Sequence, residues 1–209
     1  MEQLKKCEEL VKDIYNNMDA SHDFQHIERV YENALTILKT EPTANEKIVR
    51  LAVLLHDVSD SKYASDKSNE DRILKELQLS ADEIAHIKSV IAEVSFNGGN
   101  ELPATSLESK IVRDADRLDA IGAVGIARTF AYGGAKGRKL YDDEEEARFD
   151  MTLDEYRTKS TASVTHFYEK LLRLKDLMVT AKGKQMAEAR HAFMEQFLDQ
   201  LKKERDGIL

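Results

Sequence analysis

The chain has 209 residues, 42% of them apolar and 33% charged, with a net charge of −8. That balance excludes a disordered chain, and an acidic surface repels nucleic-acid polymers and anionic lipid unless a local basic patch overrides it. Nine glycines and two prolines, Pro42 and Pro103, are too few turn formers for an all-β fold, so helices must dominate, and the length fits one compact domain.

In chain order, residues 1 to about 18 place Leu4, Leu10, Val11, Ile14 and Tyr15 at helical spacing among charges. This first helix is read as a surface helix. It carries Cys7, the only cysteine, so no intramolecular disulfide can form and a reducing, cytoplasmic setting is expected. The opening Met-Glu-Gln-Leu-Lys-Lys is too charged for a signal-peptide core. Asp19 to Asp23 is rich in capping residues, and Phe24, Ile27, Val30, Tyr31, Ala34, Leu35 and Leu38 then predict a second helix from about Asp23. Pro42 ends it. Asn45 to Asp57 reads as a third helix, apolar on most faces and therefore central. Its run Leu51 to Leu55 is far too short for a membrane span.

Ser59 to Asn69 is polar and aperiodic, hence a loop. Helices are predicted at about 69–78, 81–96 and 106–131, the last with a break near Gly122. Asn97-Gly98-Gly99-Asn100 and Pro103 punctuate between the latter two. Residues 132 to about 147, with three glycines and the acidic run Asp142 to Glu146, read as a mobile loop. C-terminal helices follow from about 152 to 207.

Three short segments carry chemistry. His56-Asp57 closes the apolar third helix, and burying a carboxylate beside an imidazole is unfavourable unless a cation accepts both; an exposed pair at a helix end is the plainer reading. His22 and His26 stand four apart, and Asp114, Asp116 and Asp119 fall within six residues, with Asp116 and Asp119 three apart on one helical face.

Taken together, His-Asp-x-x-His-x-x-Arg-Val at 22–30, Leu-Leu-His-Asp at 54–57 and Ala-Asp-Arg-Leu-Asp at 115–119 resemble the HD-domain metal-dependent phosphohydrolases. The longer stretches 114–128 and His-Phe-Tyr-Glu-Lys-Leu from 166 are similar to small stand-alone bacterial members of the YedJ and YpgQ type, so the resemblance covers nearly the whole chain. It implies an all-α fold: a single compact helical HD domain over 1–209, with a metal-binding core at about 20–130 and additional C-terminal helices. It also implies a divalent metal held by His26, His56, Asp57 and Asp116, with Asp114 the alternative fourth ligand, and hydrolysis of a phosphorylated small molecule.

Two imidazoles and two carboxylates suit Mn²⁺, Fe²⁺, Co²⁺ or Zn²⁺ better than Mg²⁺, and Mn²⁺ is favoured. The attacking group is then expected to be metal-bound water; with no Gly-x-Ser-x-Gly elbow and Cys7 remote from the histidine motifs, covalent catalysis is disfavoured. Lys62, Arg29 and Arg117 are candidates to neutralise phosphoryl charge, or are ordinary salt-bridge partners. Asp60 either orients the water or caps the next segment; Asp119 is a further catalytic candidate, and His22 is a substrate contact or a cap. Lys136 and Arg138, with the amides of 133–139, could wrap phosphates, although the Walker spacing is absent. His86, His166 and His191 read as satisfied structural histidines.

The expected reaction is nucleoside triphosphate to monophosphate and pyrophosphate. A 5′-nucleotidase-type monophosphatase and a non-catalytic nucleotide or alarmone sensor are the alternatives, and a two-iron oxygenase lacks the extra histidines it would need. A homodimer is left open by the sequence.

Overall fold

A computed structural model describes residues 2–16, 23–59, 68–94, 102–149, 151–152, 155 and 160–209. Among them the secondary structure is all helical: α1 (Glu2–Tyr15), α2 (Phe24–Leu38), α3 (Glu46–Leu55), α4 (Ser68–Glu76), α5 (Ala81–Ala92), α6 (Leu107–Asp119), α7 (Gly122–Ala135), α8 (Ser163–Glu169), a 3-10 turn (Leu171–Arg173) and α9 (Ala181–Arg205). No helix is long and apolar enough to cross a membrane among the described residues. The chain divides into two compact units, Met1–Ser95 with Glu101–Asp116, and Phe96–Asn100 with Arg117–Leu209.

In the first unit α3 is the central helix, packed by α1, α2 and α5. Its buried set, Ile48, Val49, Leu51, Ala52, Val53, Leu54 and Leu55, leaves almost no polar face, as expected of a helix enclosed on all sides. Side-chain caps fix where the helices begin. Asp23 accepts from the His26 amide at 3.0 Å, Asn45 from that of Ile48 at 3.3 Å, and Ser80 and Glu83 cap each other reciprocally. Glu108 reaches across to the Asn45 amide at 2.7 Å, tying the start of α6 to the start of α3. Cys7 departs from the surface reading of α1: it is fully buried, and burial, with the Glu8 charge, pushes its thiol up to about 12. A thiol so protonated is core material rather than a nucleophile.

In the second unit α9 packs on α7, and Phe130, Phe167 and Phe197 bring α7, α8 and α9 together with ring centroids 5.7–6.2 Å apart. The predicted break near Gly122 is present: its φ of +74° is a left-handed conformation, and a Cβ there would lie 2.9 Å from that of Arg190. The loop predicted from 132 begins later, because Tyr132 to Ala135 form the last turn of α7. Gly133 is tolerated there for a packing reason, since a side chain would run into Ser163 Oγ at 2.2 Å.

Candidate metal centre

The candidate centre belongs to the first unit, and helix ends build it. The Asp23 cap sets the first turn of α2, where His26 is 1% exposed. Where α3 stops, His56 serves as its C-cap and Asp57 follows, both buried. Consecutive residues on a continuing helix would diverge by about 100°; at the helix end both side chains reach one point.

The His56 ring is oriented by Nδ1, which lies 2.8 Å from the Val53 carbonyl. A carbonyl only accepts, so Nδ1 carries the proton and Nε2 presents a lone pair. That Nε2 is buried without a hydrogen-bond partner. It lies 3.5 Å from Asp57 Oδ2 and 3.8 Å from Asp116 Oδ1, while His26 Nε2 lies 3.6 Å from each of the same two oxygens. The donor atoms of His26, His56 and Asp57 fall within 4.8 Å of one another. Asp114, fully buried, stands two positions before Asp116 on α6.

A nitrogen lone pair facing two carboxylate oxygens in a buried pocket is repulsive on its own. A divalent cation at their centre turns every one of these contacts attractive. Spacings of 3.5–3.8 Å are near those expected between neighbouring corners of a coordination shell with bonds of roughly 2.0–2.4 Å. The residues present therefore fit a metal ion.

Two supports were not legible from the motifs. The buried Tyr15 hydroxyl donates to the Leu54 carbonyl at 3.0 Å and accepts from the Asp57 amide at 3.3 Å, bracing the turn that carries the doublet. Asn33, two turns after His26 on α2, donates to the Ala115 carbonyl at 3.1 Å and so fixes α6 beside Asp116. All three bonds join residues far apart in sequence.

The remaining predicted residues are distributed as follows. Asp60, Lys62 and His22 lie outside the described residues. Arg29 is half-buried, three residues after His26 on α2. Arg117 donates to the Leu177 carbonyl at 2.6 Å, and the buried Asp119 carboxylate pairs with Arg128 at 2.7 Å. In the 133–139 segment the amides of Lys136, Gly137 and Arg138 bond to the carbonyls of Tyr132, Gly133 and Gly134. His86 is satisfied by Glu108 at 3.3 Å, and His191 Nε2 lies 3.5 Å from Glu195. His166, read as satisfied, makes no side-chain hydrogen bond among the described residues.

An all-helical scaffold whose helix ends converge two histidines and two aspartates defines a metal-dependent hydrolase. The chain belongs to the HD superfamily, and its general chemistry is that of a metal-dependent phosphohydrolase: the family profile described as HD domain matches residues 23–121. Bacillus subtilis YpgQ is 39% identical over an alignment spanning 100% of this chain and 98% of that one. A crystal structure of B. subtilis YpgQ in complex with ADP matches with a TM-score of 0.76 and 33% identity over the structurally aligned residues, covering 99% of this chain and 100% of that one. A crystal structure of a Lactobacillus plantarum protein matches with a TM-score of 0.90 and 35% identity, covering 99% and 98% of the two chains. An HD-superfamily hydrolase from Bacillus thuringiensis matches at 0.76 and 41%, covering 98% and 97%.

Proposed function

We propose that this protein is a nucleotide pyrophosphohydrolase that uses one divalent ion, Mn²⁺ for preference, to convert nucleoside triphosphates into monophosphates and pyrophosphate. The observation that carries the reading is the buried, unpartnered His56 Nε2 facing His26, Asp57 and Asp116. The ADP held by B. subtilis YpgQ supports a nucleotide as the substrate class.

In this reading His26, His56, Asp57 and Asp116 hold the ion, which when bound supplies Lewis-acid polarisation of a phosphoryl oxygen and acidifies water. The mixed nitrogen and oxygen set is the basis for preferring Mn²⁺. Val53 keeps the His56 proton on Nδ1, so Nε2 stays available for coordination. Tyr15 holds the Asp57 backbone in place. Arg29 is proposed to offset phosphoryl charge, Asp60 to orient water, Lys62 to bind the phosphate and His22 to touch substrate. Asp119, engaged by Arg128, is proposed to position the end of α6 rather than to transfer protons. The chain is proposed to work as one functional domain over 1–209, in the cytoplasm.

The test is a nucleotide panel offered to metal-stripped protein with and without Mn²⁺, with phosphate and pyrophosphate measured separately. Mn²⁺-dependent pyrophosphate from triphosphates is expected. Release of phosphate from monophosphates instead would make it a 5′-nucleotidase, and tight binding with neither product would make it a sensor.

A further inference from the structure

The last turn of α6, which follows Asp116, is fastened by arginine side chains. A helix leaves its final carbonyls without partners in its own backbone, and the helix dipole favours a cation there. Arg190 of α9 donates to the Leu118 carbonyl, which also receives the Ile121 amide at the long distance of 3.4 Å. Arg128 of α7 donates to the Asp119 carbonyl at 3.3 Å and to the Asp119 carboxylate at 2.7 Å. Leu118, Asp119, Arg128 and Arg190 all belong to the second unit, and α6 runs without a break from Asp116 into that turn.

The sequence makes room for Arg190. A Cβ at Gly122 would lie 2.9 Å from the Cβ, 3.0 Å from the Cγ and 3.4 Å from the Cα of Arg190, so glycine lets the chain turn and lets the arginine stem lie against the backbone. The guanidinium is half-buried, and burial pulls its pKa below the ordinary value against the opposing charge of Asp119. Asp116 is the least enclosed of the four candidate ligands: its side chain is 27% exposed, against 1% for His26, 2% for His56 and 12% for Asp57. Packing restrains it least, so its position depends most on its backbone. Asn33 holds the Ala115 carbonyl just before Asp116, and Arg190 holds that of Leu118 just after it.

We propose that Arg190 is a positioning residue for the metal centre: through the Leu118 carbonyl it fixes the last turn of α6, and with that turn the Asp116 carboxylate. The inference rests on the reading of Asp116 as a ligand, and it extends the centre's support to a side chain 72 positions beyond Leu118. Arg128 and Asp119 secure the next residue, so without Arg190 the Leu118 carbonyl shifts while the helix persists. A displacement of about 0.5 Å is enough to spoil a coordination shell.

Calorimetric titration of the metal-free, full-length protein with Mn²⁺ tests the assignment. Arg190→Met keeps the stem against Gly122 and removes the donors, so Mn²⁺ should bind about tenfold or more weakly. Arg190→Lys returns a donor to Leu118 and should recover affinity to within about threefold of the wild type. Met194→Ala, which empties a buried position one turn further along α9, should lower stability in urea and leave Mn²⁺ affinity at the wild-type value. Where Arg190→Met is too unstable to titrate, Arg190→Gln, whose shorter side chain falls short of Leu118, takes its place with the same expectation. The assignment is overturned by wild-type Mn²⁺ affinity in the variant without the donor, by an equal loss in Met194→Ala, or by Arg190→Lys binding no tighter than that variant. The reading of Asp116 as a ligand fails through a different result, wild-type Mn²⁺ affinity in Asp116→Ala.

Discussion

Tyr15→Phe isolates one hydroxyl that links α1 to the metal centre. The side chain is fully buried, and its oxygen bonds both the Leu54 carbonyl and the Asp57 amide, at 3.0 Å and 3.3 Å. Phenylalanine keeps the ring and removes both bonds, so two buried backbone groups lose this partner. Such a loss costs about 2 kcal/mol, which for a chain of this size lowers Tm by roughly 4–8 °C. The second effect is functional. With its amide released, Asp57 no longer holds its oxygen against both histidines, and a support of this kind is worth about 10- to 100-fold in metal affinity. Urea denaturation of the apo-protein reads the first effect, and Mn²⁺ titration under native conditions reads the second. Reduced stability with wild-type Mn²⁺ affinity would refute the bracing role and leave Tyr15 as a packing residue.

Asp57→Ala should abolish Mn²⁺ binding and turnover while circular dichroism retains the helical signal; residual turnover at a tenth of wild type or more would remove Asp57 from the coordinating set. Gly125→Ala would place a Cβ 2.2 Å from the Ala120 carbonyl oxygen, backbone against backbone, so a destabilisation of about 3 kcal/mol is expected by denaturant titration. An ordinary Tm would show that the α6–α7 junction yields easily. Burial first, and then the charges of Lys170, Arg138 and Arg148, push His166 from the ordinary 6.5 down to about 3, so the unfolded state binds more protons below 6.5. Its contribution is complete above that value and shrinks as pH falls towards 3, by about 2 kcal/mol at pH 5. Matching pH slopes for the wild type and His166→Gln in urea melts between pH 7.5 and 5 would contradict the neutral, cation-surrounded ring.

Much of the fold was readable because it rests on local rules. The Asp23 cap, the unbroken apolar run of α3 and the break at Gly122 each depend on neighbours within a turn or two. The candidate metal set came from the motifs at 22–30, 54–57 and 115–119 through their resemblance to the HD domain, and it was the wording around Asp116, not helical spacing, that favoured it over Asp114. What escaped depends on long-range contact. Tyr15 fills an apolar position in α1, and nothing near it announces a bond to a residue 42 positions later. Gly133 and Gly134 look like loop residues until Ser163, from α8, occupies the space a side chain would need at Gly133. Cys7 lies on a helix read as a surface helix, yet it falls on that helix's buried face with Val11 and Tyr15. His166 was read as a satisfied structural histidine; its burial and the charges of Arg138 and Arg148, from a segment far along the chain, left no local signal, although Lys170 stands only four residues on.

The centre draws on α2, on the end of α3 and on α6, joining segments that the chain otherwise separates by long intervening stretches. An ion seated there ties three helices into two closed circuits of backbone, His26 to Asp57 and Asp57 to Asp116. Closing long circuits narrows the conformations open to the unfolded chain, much as a covalent crosslink does. Loading with Mn²⁺ should therefore slow amide exchange along α2 and α6 and blunt proteolysis, as a rivet through the first unit would.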